Sequence, residues 1–460
     1  MTDFRTEHDS LGDVQVPVDA LWGAQTQRAV DNFPVSGLAM PAPFITAVVE
    51  IKRAAAEANT SLGLLDVDVR DAILDACQDV LEGQHLDQFP VDRYQTGSGT
   101  STNMNVNEVL AHLASSPGLP VHPNDHVNMS QSSNDVIPSA IHVSSVIQLQ
   151  RCLLPALSHL CGVIYERESG LADQVKTGRT HLMDAMPVTL AQELRTWREQ
   201  LLAAEARLDN AVEDLLALPQ GGTAVGTGIN VLEEFPDQFI RFLREATGYR
   251  FRSLEHKFVG QSAIDAPVQL SAQLRGVAII LAKIANDLRW MNSGPIHGLA
   301  EISLPALQPG SSIMPGKVNP VVPESVAMVA AQVMGLDAAI AVAGQSGNFQ
   351  LNVMLPLVGA NLLDMISLLT NATQLLADKA MKGFIVNTDT LDAAVGRNPV
   401  LVTALNPEIG YEKAAAIAKE AYHSGRPIID VAEELSGLSR QRLVQLLDPL
   451  KLTRGGVGGD

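Results

Sequence analysis

Residues 310–320 read GSSIMPGKVNP, which sets Ser311, Ser312, Lys317, Val318 and Asn319 among glycines and prolines just ahead of an apolar run. Lys317 stands in a Pro-Gly turn outside any i,i+4 ion-pair pattern, so a negative group is its expected partner; an exposed turn lysine is the plainer alternative. Three other polar stretches interrupt an otherwise apolar text: TGSGTSTNMN at 96–105, SQSSNDVIPSA at 130–140 and GRTHLMDAMPVTL at 178–190. The last contains Thr180 and His181. Imidazole gives and takes protons near neutrality, so His181 is a candidate acid or base, with a solvent-facing turn histidine as the alternative.

The elements that must carry these residues are helices. The stretches at 96–105, 130–140 and 310–320 each precede a helical pattern, with Pro138 expected in the first turn of its helix. A helix start offers unpaired N–H groups and about half a positive charge. Ser98, Gly99 and Thr100, or Ser132, Ser133 and Asn134, therefore either cap the helix or help hold an anion, and residue types alone do not choose. Three apolar seams predict long helices: Leu190 to Leu218, Leu270 to Met291, and Val136 through Ile147, Gln150 and Leu154 to Ile164. Rods of that length bundle. The apolar residues Ala278, Ile279 and Ile280, off the second seam, predict further helices from other copies of the chain, with a monomeric bundle as the alternative.

With 460 residues and 46% apolar content, the chain can fill more than one core. Punctuation suggests a mixed helix/turn domain over 1–131, a long-helix bundle over 132–355 and a small helical domain over 356–460. A net charge of -19 opposes nucleic acid and anionic membranes as partners. Cys77, Cys152 and Cys161 are read as buried reduced thiols, since neither a disulfide framework nor a metal-ligand spacing is present. GGTAVGTGIN at 221–230 lacks the ending of a phosphate loop and is read as a flexible connection. No metal or organic cofactor is expected. The start MTDFRTEHDS has no apolar leader core, and no window reaches the 18 or so apolar residues of a membrane span, so a cytoplasmic location is expected.

TGSGTSTNMN, QSSND, GRTH and GSSIMPGKVNP, in this order, resemble the fumarase/aspartase superfamily, and within it the class II fumarases. VPVDALWGAQTQRAV, HPND, KIANDLRW and LVTALNPEIGYEKAAAIAKEA extend the resemblance nearly end to end. It implies an all-α, three-domain subunit in a homotetramer whose active sites each draw on three subunits. It implies reversible anti addition of water to fumarate giving L-malate, without a cofactor. His181 and Ser311 match the catalytic pair, and Glu324 the carboxylate that partners the histidine. Ser98, Gly99, Thr100, Ser132, Ser133, Asn134, Thr180, Ser312, Lys317, Val318 and Asn319 match substrate-binding positions, with Lys317 also aiding catalysis. His122, Pro123, Asn124 and Asp125 match a second dicarboxylate site. Two positions depart from the pattern: His126 where a second acid is frequent, and Leu86 where an acid is common. The nearest rival is aspartate ammonia-lyase, toward which VNPVVPE leans; His181, where aspartases typically carry glutamine, opposes it. A non-catalytic helical oligomer is the third reading.

Overall fold

The computed structural model describes residues 3–456, and helices dominate them. Strands among these residues occur only as two-stranded ladders, in keeping with the all-α expectation. The chain packs as two compact units. Among the described residues, one takes 3–155, 204–278 and 331–370; the other takes 156–203, 279–330 and 371–456.

The seams are the cores. In the helix Leu190–Leu215, Leu190, Leu194, Trp197, Leu201, Ala204, Leu208, Ala211 and Leu215 are all buried. Each large side chain among them contributes roughly 1.5–3 kcal/mol by leaving water. Leu218 does not extend this helix. It precedes Pro219, which disfavours helical backbone at the residue before it, and pairs as a short strand, Ala217–Leu218, with Arg252–Ser253. The helix Asp265–Met291 buries its whole seam from Leu270 to Met291. Of the three residues expected to be spare, Ala278 and Ile280 are buried within the chain and only Ile279 is exposed.

The third seam is corrected in its middle. The helix Ser133–Gln148 runs through a π-helical turn, Leu149–Leu153, into Leu154–Ser169. The wider turn shifts the buried line by one residue, so Val146, Leu149 and Leu153 are inside, whereas Ile147, Gln150 and Leu154 are only half-buried. Pro138 is the sixth residue of its helix, beyond the first turn. Its missing N–H deprives the Asn134 carbonyl of the usual helical bond.

The segment 1–131 contains a hairpin, Phe4–Asp9 with Gly12–Pro17, and a twenty-residue helix, Ala42–Ser61. Cys77 and Cys161 are buried and Cys152 half-buried, all as thiols.

The helix Val321–Gly344 carries two seams. Val326, Ala330, Val333, Ile340 and Ala343 are buried, while Met328, Ala331, Gly335, Ala338 and Val342 form an exposed stripe with the same alternating steps of three and four. This helix, Asp265–Met291 and Leu355–Met381 are long and apolar enough by length and hydropathy to cross a membrane, which corrects the expectation of no such window. Charged residues interrupt an uninterrupted-run criterion without lowering the mean below a spanning value.

Candidate active site

In the first unit, two of the polar stretches stand at helix starts. The helix Thr100–Ala114 begins after Gly99, whose φ of +74° is left-handed; a Cβ there would lie 2.8 Å from Ile137 Cγ2. Glycine is therefore required twice over. Ser98 Oγ and Thr100 Oγ1 lie 2.8 Å apart, and neither caps the helix. Ser132, by contrast, is a true cap: its Oγ accepts the Asn134 N–H at 3.2 Å while Asp135 Oδ1 accepts the Ser132 N–H at 2.9 Å. Ser133 Oγ accepts from Asn103 Nδ2 at 3.0 Å, and Asn134 Nδ2 donates to the Ala224 carbonyl at 2.8 Å.

Beneath this corner lies a polar core that sequence reasoning missed. Lys52, fully buried, donates to Asn128 Oδ1 at 2.9 Å and Gln131 Oε1 at 3.0 Å. Asp135, also fully buried, accepts the N–H groups of Gly221 and Thr223 at 3.0 and 2.9 Å through its second oxygen. Burial pulls the Lys52 ammonium well below the usual lysine range and pushes the Asp135 carboxyl above the usual carboxylate range, each against the partial pull of the other charge. Of the stretch 221–230 expected as a flexible connection, residues 221–223 are instead buried and held by Asp135, while 224–230 are half-buried or exposed. Two signals were legible: the S-x-x-D spacing of Ser132 and Asp135, and a lysine inside the apolar run ITAVVEIKRAAA.

His122 to Asp125 begin a π-helical turn, Pro123–Val127, which borders a cavity of about 750 Å³ together with Arg5, His8 and His112. His122 Nδ1 accepts the Asp125 N–H at 3.1 Å, and His126 Nδ1 accepts the His122 N–H at 2.9 Å. The departure at 126 thus supplies an acceptor that closes the turn. The Arg5 guanidinium is occupied by the carbonyls of Pro17, Val18, Ala20 and Trp22 and by Glu7. Leu86 lies in a separate one-turn 3₁₀ helix, Leu86–Gln88.

In the second unit, GRTH is the tip of a hairpin and not merely a turn before a helix. Strand Val175–Thr180 pairs with Met183–Thr189, leaving His181 and Leu182 as a two-residue loop with φ of +54° and +62°. Such a turn normally takes Asn-Gly. Two side-chained residues held there cost on the order of 1 kcal/mol each. The turn leaves Thr180 and His181 exposed. A buried ion cluster holds the base of the hairpin: Glu301 meets Lys176 Nζ at 2.7 Å and Arg179 Nη1 at 2.6 Å, and Lys176 also meets Glu193 at 2.7 Å.

The loop 310–320 closes on itself before the helix Val321–Gly344. Gly310 N donates to the Lys317 carbonyl at 2.8 Å, Asn319 Nδ2 donates to the Gly310 carbonyl at 2.7 Å, and Lys317 Nζ donates to Asn319 Oδ1. A Cβ at Gly310 would lie 2.6 Å from the Lys317 carbonyl oxygen, so this glycine permits close approach; Gly316, at φ +82°, makes the turn. Ser311 Oγ accepts the N–H groups of Ile313 at 3.2 Å and Met314 at 3.1 Å. Lys317 is exposed, and among the described residues no carboxylate lies within ion-pair distance of it. Ser312 is exposed as well.

A cavity of about 550 Å³ gathers Lys317, Val318, Asn319 and Glu324 with Asn286, Arg289 and Asn292. His181, Thr180, Ser311 and Ser312 do not line it, and among the described residues no hydrogen bond joins His181 to Glu324. One chain thus presents an exposed hairpin tip, a largely exposed self-closed loop and two helix starts whose side chains are half-buried.

Residues 12–335 match the family described as lyase, and residues 401–454 match the fumarase C C-terminus. A class II fumarate hydratase of Xylella fastidiosa is 57% identical over 456 residues, covering 99% of this chain and 96% of the relative. A Pseudomonas aeruginosa protein, fumarate hydratase class II 2, is 58% identical over 458 residues, covering 99% of this chain and all of that one. The crystal structure of a class II fumarase from Schistosoma mansoni superposes with a TM-score of 0.95 at 38% identity, covering 98% of this chain and 99% of that one. The chain belongs to the class II fumarase family.

Proposed function

We propose that the chain is a hydro-lyase that adds water reversibly and in anti fashion to fumarate, giving L-malate, a step of the tricarboxylic acid cycle. The observation that carries this reading is the Ser311 hydroxyl, which receives two backbone N–H groups in the loop that holds Lys317. A serine hydroxyl takes a carbon-bound proton only as an alkoxide-like species, and those two donors stabilise that charge.

In the direction of dehydration, Ser311 removes the C3 proton of malate, and the electron pair moves onto the adjoining carboxylate to give an aci-carboxylate. Lys317 and Asn319 stabilise that doubly charged group; one such donor is typically worth on the order of 10² to 10³ in rate. The pair then returns to form the double bond, and the C2 hydroxyl leaves as water with a proton from His181, which Glu324 orients. Ser98, Gly99, Thr100, Ser132, Ser133, Asn134, Thr180, Ser312 and Val318 bind and align the two carboxylates. His122 to Asp125 form a second, lesser dicarboxylate site.

The hairpin tip, the loop and the helix starts are completed by neighbouring subunits in a homotetramer, each site drawing on three chains. Supporting this is the exposed apolar stripe of Val321–Gly344: only 33% of that helix's most apolar window is buried within the chain. Covering such a stripe with matching helices removes apolar surface from water at every subunit. A cytoplasmic location and a three-domain division at 131/132 and 355/356 belong to the same reading.

Incubation with fumarate alone, then with fumarate and ammonium, tests the reaction class. Malate in both supports the proposal; aspartate appearing only with ammonium overturns it in favour of ammonia elimination, and neither product leaves a non-catalytic oligomer.

A further inference from the structure

We infer that Asp135 is a positioning residue that sets the dicarboxylate-binding corner at Ser132–Asn134 by tying it to the turn Gly221–Ala224; the inference rests on the hydratase reading of that corner. A helix cap of this kind needs one bond, from the Ser132 N–H to Asp135 Oδ1 at 2.9 Å. Asp135 makes two more, accepting from Gly221 N at 3.0 Å and Thr223 N at 2.9 Å, and its side chain is entirely buried. Those two bonds do nothing for the helix start. They hold a turn whose Thr223 has a φ of +51° and whose next carbonyl, Ala224, accepts from Asn134 Nδ2 at 2.8 Å.

An amide nitrogen carries two hydrogens. With one held by Ala224, the plane of the Asn134 amide is fixed and the second hydrogen is left for a ligand oxygen. Gln261 Nε2 braces the same turn from its other side by donating to the Thr223 carbonyl at 2.6 Å. Lys52 and Lys257 are the cations whose charges act on Asp135. Replacing the Asp135 oxygen that faces the turn by an NH2 leaves the buried N–H groups of Gly221 and Thr223 without an acceptor, so the turn shifts and the Asn134 amide rotates freely. The groups that move protons are elsewhere in the sequence and keep their geometry, so affinity falls while turnover at saturation changes little.

The test uses the intact protein in four forms: wild type, Asp135→Asn, Asn134→Ala and the double variant. Succinate, a dicarboxylate that cannot react, is titrated calorimetrically, and KM and kcat are measured for fumarate. Asp135→Asn is expected to raise the succinate Kd and the fumarate KM by about tenfold, and to add no further loss in the Asn134→Ala background. Losses that multiply, or an unchanged Kd in folded Asp135→Asn, overturn the inference. If Asp135→Asn does not keep the wild-type circular dichroism, Gln261→Leu loosens the same turn and must show the same non-additivity with Asn134→Ala. Wild type that binds succinate but makes no malate contradicts the hydratase reading alone; wild type that binds no dicarboxylate sinks both.

Discussion

Replacing Glu301 by glutamine isolates what the hairpin that presents His181 depends on. The side chains of Glu301 and Lys176 are each only 4% exposed and that of Arg179 is 18% exposed, so water replaces little of what is lost. The carboxylate accepts from Arg179 at 2.6 Å and forms an ion pair with Lys176 at 2.7 Å; an amide carries no charge to offset either cation and sets a donor against one of them. Breaking such a cluster from one side typically costs 3–5 kcal/mol, roughly. Lys176 keeps Glu193 at 2.7 Å, which places the expectation at the low end, about 3 kcal/mol. At about 1.4 kcal/mol per decade that is a rise of roughly 10²-fold in local opening of the hairpin. Hydrogen exchange followed by mass spectrometry reads it directly. Peptides over 175–189 are expected to exchange about 10²-fold faster in Glu301→Gln, with the hairpin at 4–17 unchanged. Unchanged exchange over 175–189 would refute the reasoning.

Lys317→Met removes the ammonium from the loop and is expected to lower kcat/KM by on the order of 10² to 10³ with the fold intact by circular dichroism; a loss under about threefold contradicts its role. His181→Asn is expected to cut kcat far more than it raises the Kd for succinate, and the reverse pattern would make His181 a binding group. His142, buried with Nδ1 donating to the Leu215 and Ala217 carbonyls, is held by burial down to about 4. Its folded value lies below the unfolded one, so its neutral form costs nothing above about 6.5 and stability falls as acid protonates the unfolded chain between 6.5 and about 4. The loss is at most about 3 kcal/mol, and His142→Gln, compared by urea melts at fixed protein concentration, should lose less stability on going from pH 7 to 4.5 than wild type.

Long-period burial was legible in the sequence because it repeats: every seam position between Leu190 and Leu215 and between Leu270 and Met291 is inside, at the spacing a helix imposes. The line failed where the backbone changed its own period, at the π turn 149–153, which no apolar count reveals. The hairpin at 175–189 was missed because its loop is His-Leu, not the Asn-Gly that marks such turns, and its strands alternate poorly. The polar residues of the candidate site stood out because they interrupt apolar text. Lys52 and Asp135 left fainter signals and Glu301 none, since a charged residue is exposed by default and the partners that hold Asp135 and Glu301 inside lie far along the chain: 86 residues from Gly221 to Asp135, and 122 from Arg179 to Glu301.

The chemistry itself is tested most directly by converting fumarate in deuterium oxide and reading the product by proton NMR. Base and acid acting from opposite faces predict L-malate with one deuterium at C3, in a single diastereotopic position and anti to the new hydroxyl. Deuterium scrambled over both C3 positions, or no malate at all, contradicts the account.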